Sequence, residues 1–208
     1  MPDAPSSDAP LDKGGWRRAG LDRRAATGPA EQHEQCRGWL RHGLDAVAAA
    51  GAGVVSLYLS RGEEPGTLDL AAELEKRGID VLAPMLTDGR GHGVHEITWG
   101  HYRHDDLRDG LWGIPEPCGP ALPASALASA DLVICSALWV DRDGFRVGVG
   151  GGWYDRALPH RRPGAPVWAM VDSCEIVDAV PHDPWDIRVD AALTPAGLVR
   201  LGPATRPE

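Results

Sequence analysis

This 208-residue chain predicts a single α/β domain, with a mainly parallel sheet flanked by helices. Two observations lead there. Short apolar runs rich in β-branched residues recur at VVSLYLS (54–60), IDVLAP (79–84), ADLVICSALWV (130–140) and APVWAMV (165–171). Continuous runs of that kind fit strands buried on both faces. Segments with helical apolar spacing alternate with them, as a parallel sheet covered by helices requires. No internal repeat is visible.

The elements follow in order. The acidic, Pro- and Ser-rich start is expected to be a disordered tail over residues 1–12, with the domain at 13–202 and a short tail at 203–208. Residues 31–50 carry Cys36, Leu40, Leu44 and Val47 at helical spacing, and Gly51 and Gly53 stop that helix. The strand at 54–60 comes next. Thr67 is the expected N-cap of TLDLAAELEKRG, and Gly78 ends it. The strand IDVLAP is expected to end at Pro84, and GVHEITWG (93–100) reads as a third, weaker strand. Residues 103–127 look irregular and Pro-rich. The run 130–140 reads as one buried strand, YDRALPH (154–160) starts a short helix, and APVWAMV and VDAALT (189–194) are further strands.

Bulk properties exclude several classes. A net charge of −9 argues against a general nucleic-acid binder, which is normally basic. No apolar run approaches the roughly 20 residues that span a bilayer, and the N-terminus does not resemble a signal peptide. The cysteines Cys36, Cys118, Cys135 and Cys174 form no CxxC pair, so reduced thiols in a cytoplasmic protein are expected. Neither nucleic acid nor membrane is an expected partner; the chain is read as a monomer or homodimer.

The densest chemical signal is RVGVGGGWYDR (146–156). Its glycines, Gly148, Gly150, Gly151 and Gly152, follow a strand and a turn. Glycine amides can approach an anion without Cβ interference, and a helix opening behind them adds a positive dipole end. The stretch is neither GxGxxG nor a P-loop. Read alone, it fits a flexible loop as well as a phosphate cradle. Arg146 and Arg156 bracket it, as phosphate recognition favours, and Asp155 offers the hard oxygen that Mg²⁺ takes beside nucleotide phosphates.

With its flanks, DGFRVGVGGGWYDRAL (143–158) resembles the signature of the 5-formyltetrahydrofolate cyclo-ligase family, also called methenyltetrahydrofolate synthetases. Val147 stands for Leu and Trp153 for Tyr. Further matches follow in order: Lys13 and Arg17 in KGGWR, Leu59 to Thr67 in LSRGEEPGT, WGIPEP from Trp112, and Asp186, Asp190 and Thr194 near the end. The resemblance spans about Lys13 to Thr194. It implies conversion of 5-formyltetrahydrofolate to 5,10-methenyltetrahydrofolate with ATP and Mg²⁺. It also implies roles by position. Lys13 and Arg146 would act in catalysis. Lys13, Arg17, Arg146, Val147, Gly148, Val149, Gly150, Gly151, Gly152, Trp153 and Tyr154 would hold the nucleotide. Leu59, Glu64, Trp112 and Tyr154 would meet the folate. Asp155 and Asp186 would sit at the metal.

Two departures motivate other expectations. Met85 stands where the family often has a basic residue, and the His-rich segment Thr87–His104 matches weakly. A paralogue acting on another amide-like substrate is therefore a second expectation, and a non-catalytic folate- or nucleotide-binding regulator a third. His92, His95, His101 and His104 could form a Zn²⁺ site, but their spacing matches no familiar ligand set, and an irregular surface segment is the expectation.

Overall fold

The computed structural model describes residues 12–202; the expected tails lie outside the described residues, except for Asp12. Asp12 caps the first helix, α1 (Lys13–Ala25), its carboxylate accepting from the Gly15 amide at 2.8 Å. Two glycines at the start of a helix weaken it, and this cap offsets the loss. Helix α2 (Pro29–Ala50) starts on a proline and ends on Gly51 in the left-handed conformation, as its sequence signals.

The remaining elements in chain order are β1 (Val54–Leu57), α3 (Leu68–Lys76), β2 (Asp80–Thr87), β3 (Gly93–His101), β4 (Leu107–Asp109), β5 (Pro115–Pro117), β6 (Leu132–Ser136), β7 (Trp139–Asp141), β8 (Arg146–Val147), α4 (Trp153–Ala157), β9 (Val167–Met170), β10 (Ile176–Val177), β11 (Ala191–Thr194) and β12 (Gly197–Arg200). Seven strands form the main sheet in the order β12-β11-β9-β6-β1-β2-β3. The five inner strands are parallel; β12 and β3 close the edges antiparallel. Strands β6, β9 and β11 are buried along their length apart from Ser136, as their unbroken apolar sequences require. Helices α2 and α3 pack together and onto the sheet. Trp39 of α2 is pinned there by donating to the Val171 carbonyl at 3.1 Å. The mainly parallel, helix-flanked sheet expected from the sequence is the one observed.

Several expected boundaries differ. Pro84 does not end β2, which runs on to Thr87. Strand β1 pairs with β2 only as far as Leu82, so the missing proline N–H falls beyond the end of β1, while Pro84 still faces Trp99 of β3. The run 130–140 is two strands: β6 stays in the main sheet, and the chain bends at Ala137 and Leu138 into a small sheet of order β10-β7-β8. The first strand stops at Leu57, leaving Leu59 and Ser60 in a loop. Thr67 makes no side-chain cap to α3; its hydroxyl accepts from the Ser60 amide at 2.8 Å, and the Ser60 hydroxyl accepts from the Thr67 amide at 2.9 Å. This reciprocal pair closes the loop 60–67. Residues 103–127 are less irregular than expected, since β4 and β5 form a hairpin. Of the histidine-bearing segment, His95 and His101 lie in the edge strand β3, whose pairing with β2 shifts register between Met85 and Thr87, while His92 and His104 flank it.

Helix α1 packs against the small sheet. Trp16 meets Trp139 edge to face at 5.3 Å, and the Trp139 indole donates to the Trp16 carbonyl at 2.8 Å. The approach needs glycine at position 20, where a Cβ would lie 2.7 Å from the Trp139 indole nitrogen. At the far end of α1 the buried Arg24 forms a two-pronged ion pair with Glu175, at 2.7 and 2.8 Å, and donates to the Ala137 carbonyl at 2.6 Å.

Candidate active site

Strand order reverses between β1 and β6. Strand β2 follows β1 on one side, and β6 lies on the other. In open parallel sheets, ligands bind at the carboxyl ends of strands beside such a switch point. A cavity of about 440 Å³ lies there, a size that suits a small organic ligand. Tyr58, Leu59 and Glu64 line it from the chain after β1, Pro84 and Leu86 from β2, and Ser136 from the end of β6.

The second wall comes from the small sheet. Buried Asp141 accepts from the Phe145 amide at 2.9 Å and fixes the tight turn that sends β8 back along β7. Arg146 is thereby carried into the cavity wall, 8% exposed. Its guanidinium donates to the Ile187 carbonyl at 2.6 Å and to Asp155 Oδ1 at 2.5 Å. Gly148 to Gly152 continue the same wall. Gly150 and Gly152 have φ of 108° and 60°, conformations that a side chain would resist. A Cβ at Gly148 or Gly151 would meet nothing within 4 Å, so the amide ribbon lies open on that side. Arg156 lines the cavity and braces the loop by donating to the Gly151 carbonyl at 3.0 Å.

The first turns of α1 stand behind this loop. Arg17 Nε donates to the Gly148 carbonyl at 3.2 Å. Lys13, one turn earlier, holds Asp183 at 2.5 Å and Asp186 at 2.6 Å. Burial pushes the Asp186 carboxyl up, but the Lys13 ammonium and the Asp183 amide together outweigh it and hold the group below its ordinary value. Burial likewise lowers the Lys13 ammonium, and its two carboxylate partners raise it further than burial lowers it.

At the opposite end, burial raises the Glu64 carboxyl above the usual range, against the Arg61 amide and the nearby Arg24 and Arg61 charges. Trp112 lines the cavity while 69% exposed, and its φ of 57° is the one left-handed non-glycine backbone among the described residues. Arg61 donates to its carbonyl at 2.6 Å, strapping the Trp112 turn to the loop after β1. Trp153 lines the cavity and also packs edge to face on core Trp99 at 4.7 Å, so it faces both ways. The Trp153 indole N–H and the Tyr154 hydroxyl are buried at this wall with no hydrogen-bond partner among the described residues. Burial pushes the Tyr154 phenol well above its usual value.

Of the residues expected at the site, Leu59, Glu64, Trp112, Arg146, Gly148–Gly152, Trp153, Tyr154 and Asp155 share this one cavity. Val147 is buried behind it, and Lys13, Arg17 and Asp186 stand outside its lining. Met85 is 2% exposed and packs its sulfur towards Gly100, so the departure there leaves the cavity wall untouched. The histidines form no metal cluster: no group of three or more His, Cys, Asp or Glu suited to a metal occurs among the described residues. His92 instead pairs with Asp88 at 3.1 Å. Sequence reasoning missed Asp183, the second Lys13 partner, the Arg61 strap and the Arg24–Glu175 pair. Asp183 carried a signal, since it sits three residues before Asp186.

A mainly parallel sheet with a cavity at its switch point, walled by a glycine–arginine loop, places the chain among α/β proteins with a small-ligand site. Residues 11–195 match the model of the 5-formyltetrahydrofolate cyclo-ligase family, and the chain belongs to that family. A protein of Mycolicibacterium smegmatis named 5-formyltetrahydrofolate cyclo-ligase is 38% identical over 148 residues, covering 71% of this chain and 76% of its own. An Escherichia coli protein of the same name is 27% identical over 176 residues, covering 84% and 95%. The fold matches the 5,10-methenyltetrahydrofolate synthetase of Aquifex aeolicus with a TM-score of 0.77 at 22% identity, covering 95% of this chain and 97% of that one. The synthetase of Mycoplasma pneumoniae matches with a TM-score of 0.69 at 18% identity, covering 89% and 99%.

Proposed function

We propose that this chain converts 5-formyltetrahydrofolate to 5,10-methenyltetrahydrofolate with ATP as co-substrate. One observation carries the reading: a single cavity joins an apolar, carboxylate-bearing end at Leu59, Glu64 and Trp112 to an anion-binding end at Arg146 and the glycine loop. Two ligands that must react with one another need such an arrangement.

The formyl oxygen is a poor leaving group. In this reading it takes the γ-phosphoryl group of ATP, with ADP as the leaving group. The activated formyl carbon is then attacked by N10, the ring closes, phosphate departs and the N10 proton is lost. No protein nucleophile is needed, so catalysis rests on alignment and on stabilising phosphoryl charge. Arg146 faces that charge from a buried, pre-oriented position. The loop amides of Gly148 to Gly152 cradle the phosphates. Lys13 and Arg17 add positive charge from α1. Glu64 accepts from the N–H groups of the pterin, and Leu59, Trp112 and Tyr154 bound its ring.

Mg²⁺ fits this donor set. Asp155 lines the cavity with Oδ1 held by Arg146, so its second oxygen would be the one to hold Mg²⁺, an ion that takes few protein ligands beside phosphates. Asp186 Oδ2 already accepts from Lys13 and from the Asp183 amide at 2.8 Å, so its main role here is to hold Lys13, and only its other oxygen would be left to help hold the ion. When bound, the ion neutralises phosphate charge. The cytoplasm is the proposed location; no described helix is long and apolar enough to cross a membrane.

The test is to mix the protein with 5-formyltetrahydrofolate and Mg-ATP and follow the absorbance of the methenyl product. Product that depends on ATP supports the reading. ATP turnover indifferent to the folate, or ligand binding without turnover, would refute it.

A further inference from the structure

Trp185 is 72% exposed, more than any other large apolar side chain among the described residues. The next two, Trp112 and Val149, are walls of the cavity. Trp185 lies outside it, between the two aspartates that hold Lys13. A large aromatic left in water forgoes much of the gain that burial would bring.

The segment around Trp185 is not loose. The Asp186 amide donates to the Asp183 carbonyl at 3.0 Å, and Asp186 Oδ2 accepts from the Asp183 amide at 2.8 Å. The His182 ring stacks on Phe145 at 3.6 Å, and Arg188 lies over that same ring at 4.4 Å. The Ile187 carbonyl is held by Arg146, whose other prong holds Asp155 in the cavity wall. A rigid turn therefore presents one flat aromatic ring to solvent. It does so next to the Lys13 ammonium and one arginine away from the glycine loop.

A stacking surface beside a cluster of cations and amides is what a nucleotide requires. Cations and amides take the phosphates, and the aromatic face takes the base, which every heterocycle can present. We propose that Trp185 stacks on the purine of ATP and forms the base-binding surface of the nucleotide site. This rests on the ATP-dependent reading above. Lys13 then couples the two halves. Its partners Asp183 and Asp186 fix the turn that carries the ring, and one helical turn on Arg17 of the same helix donates to the Gly148 carbonyl of the glycine loop. Trp185 is a binding residue, so its loss weakens ATP without removing the charges that act on the transferred group.

The experiment is calorimetric titration of wild-type protein, Trp185→Ala and Trp185→Phe with a non-hydrolysable ATP analogue and with inorganic tripolyphosphate. The ring is exposed, so neither substitution disturbs the core. The expected result is an affinity for the analogue about tenfold weaker in Trp185→Ala, a loss in the range of one stacked base. Trp185→Phe should recover most of it, and tripolyphosphate should bind all three proteins alike. Unchanged analogue affinity in Trp185→Ala, or an equal loss for tripolyphosphate, overturns the stacking role. A change in oligomeric state in place of an affinity change assigns the ring to a protein interface and also overturns it. A wild-type protein that binds neither probe refutes the ATP reading itself.

Discussion

Replacing Glu175 by Gln tests whether the far end of α1 is clamped as the structure indicates. The Glu175 side chain is fully buried, and four donors converge on it. Oε1 accepts from Arg23 at 2.6 Å and from Arg24 at 2.7 Å, and Oε2 from Arg24 at 2.8 Å and from the Asp172 amide at 2.7 Å. The substitution keeps the volume but leaves the buried Arg24 guanidinium without a countercharge. Breaking one half of a buried pair costs about 3–5 kcal/mol. For a domain of this size that corresponds to a melting temperature lower by roughly 6–20 °C, at about 2–4 °C per kcal/mol. Replacing both partners, Arg24→Met with Glu175→Leu, should recover part of the loss, because the buried Arg24 charge is removed with its partner, while Arg23, which also loses Glu175, keeps some contact with water. Recovery should fall short by about 1–3 kcal/mol, since the Ala137 carbonyl and the Asp172 amide lose their partners. Urea denaturation of the two variants and wild type measures the loss and the recovery, and thermal unfolding measures the shift in melting temperature. A Glu175→Gln variant within about 1 kcal/mol of wild type, where a surface pair would sit, would refute the clamp.

Other outcomes follow from the site. Arg146→Ala should lower kcat/KM by about a hundred- to a thousandfold, the usual effect of removing a pre-oriented charge-stabilising donor, in steady-state assays of folded protein; a variant retaining a tenth of the activity would contradict the role. Asp155→Asn should raise the Mg²⁺ concentration needed for half-maximal rate, and an unchanged Mg²⁺ dependence would remove Asp155 from the metal site. Glu64 has a raised carboxyl, so kcat/KM for the folate should rise as pH climbs through a value above the ordinary carboxylate range, and Glu64→Gln should abolish that limb. Asp186 is depressed, so the stability it lends is present above the ordinary carboxylate range, about pH 4, and fades as pH falls through its lower folded value. The stability gap between wild type and Asp186→Asn in urea should therefore be open at neutral pH and close in strong acid; a gap independent of pH would rule the contact out.

The sheet was legible because buried parallel strands announce themselves as apolar runs, and β1, β6, β9 and β11 all do. What failed to show were changes of direction. The run 130–140 reads as one strand because both halves are buried, Val133 within the main sheet and Val140 within the small one. Nothing local marks the turn at Ala137. Pro84 reads as a strand end because its missing N–H matters only where a neighbour would accept it, and the early end of β1 is a tertiary fact. The same division holds for the site. Arg146, the glycines and Asp155 lie within ten residues and could be read together, and Leu59, Glu64 and Trp112 came from the family resemblance. That Lys13 leans on Asp183, Arg61 on the Trp112 carbonyl, and Arg24 on Glu175 depends on partners more than fifty residues away, and no sequence period encodes such pairs.

The central claim is that the cavity brings the formyl oxygen onto the phosphoryl group of ATP. It is tested most directly by labelling that oxygen with a heavy isotope and analysing the products of a single turnover by mass spectrometry. The account predicts the label in inorganic phosphate, in amount equal to the methenyl product. Methenyl product formed with the label released to water, and none in phosphate, would contradict it.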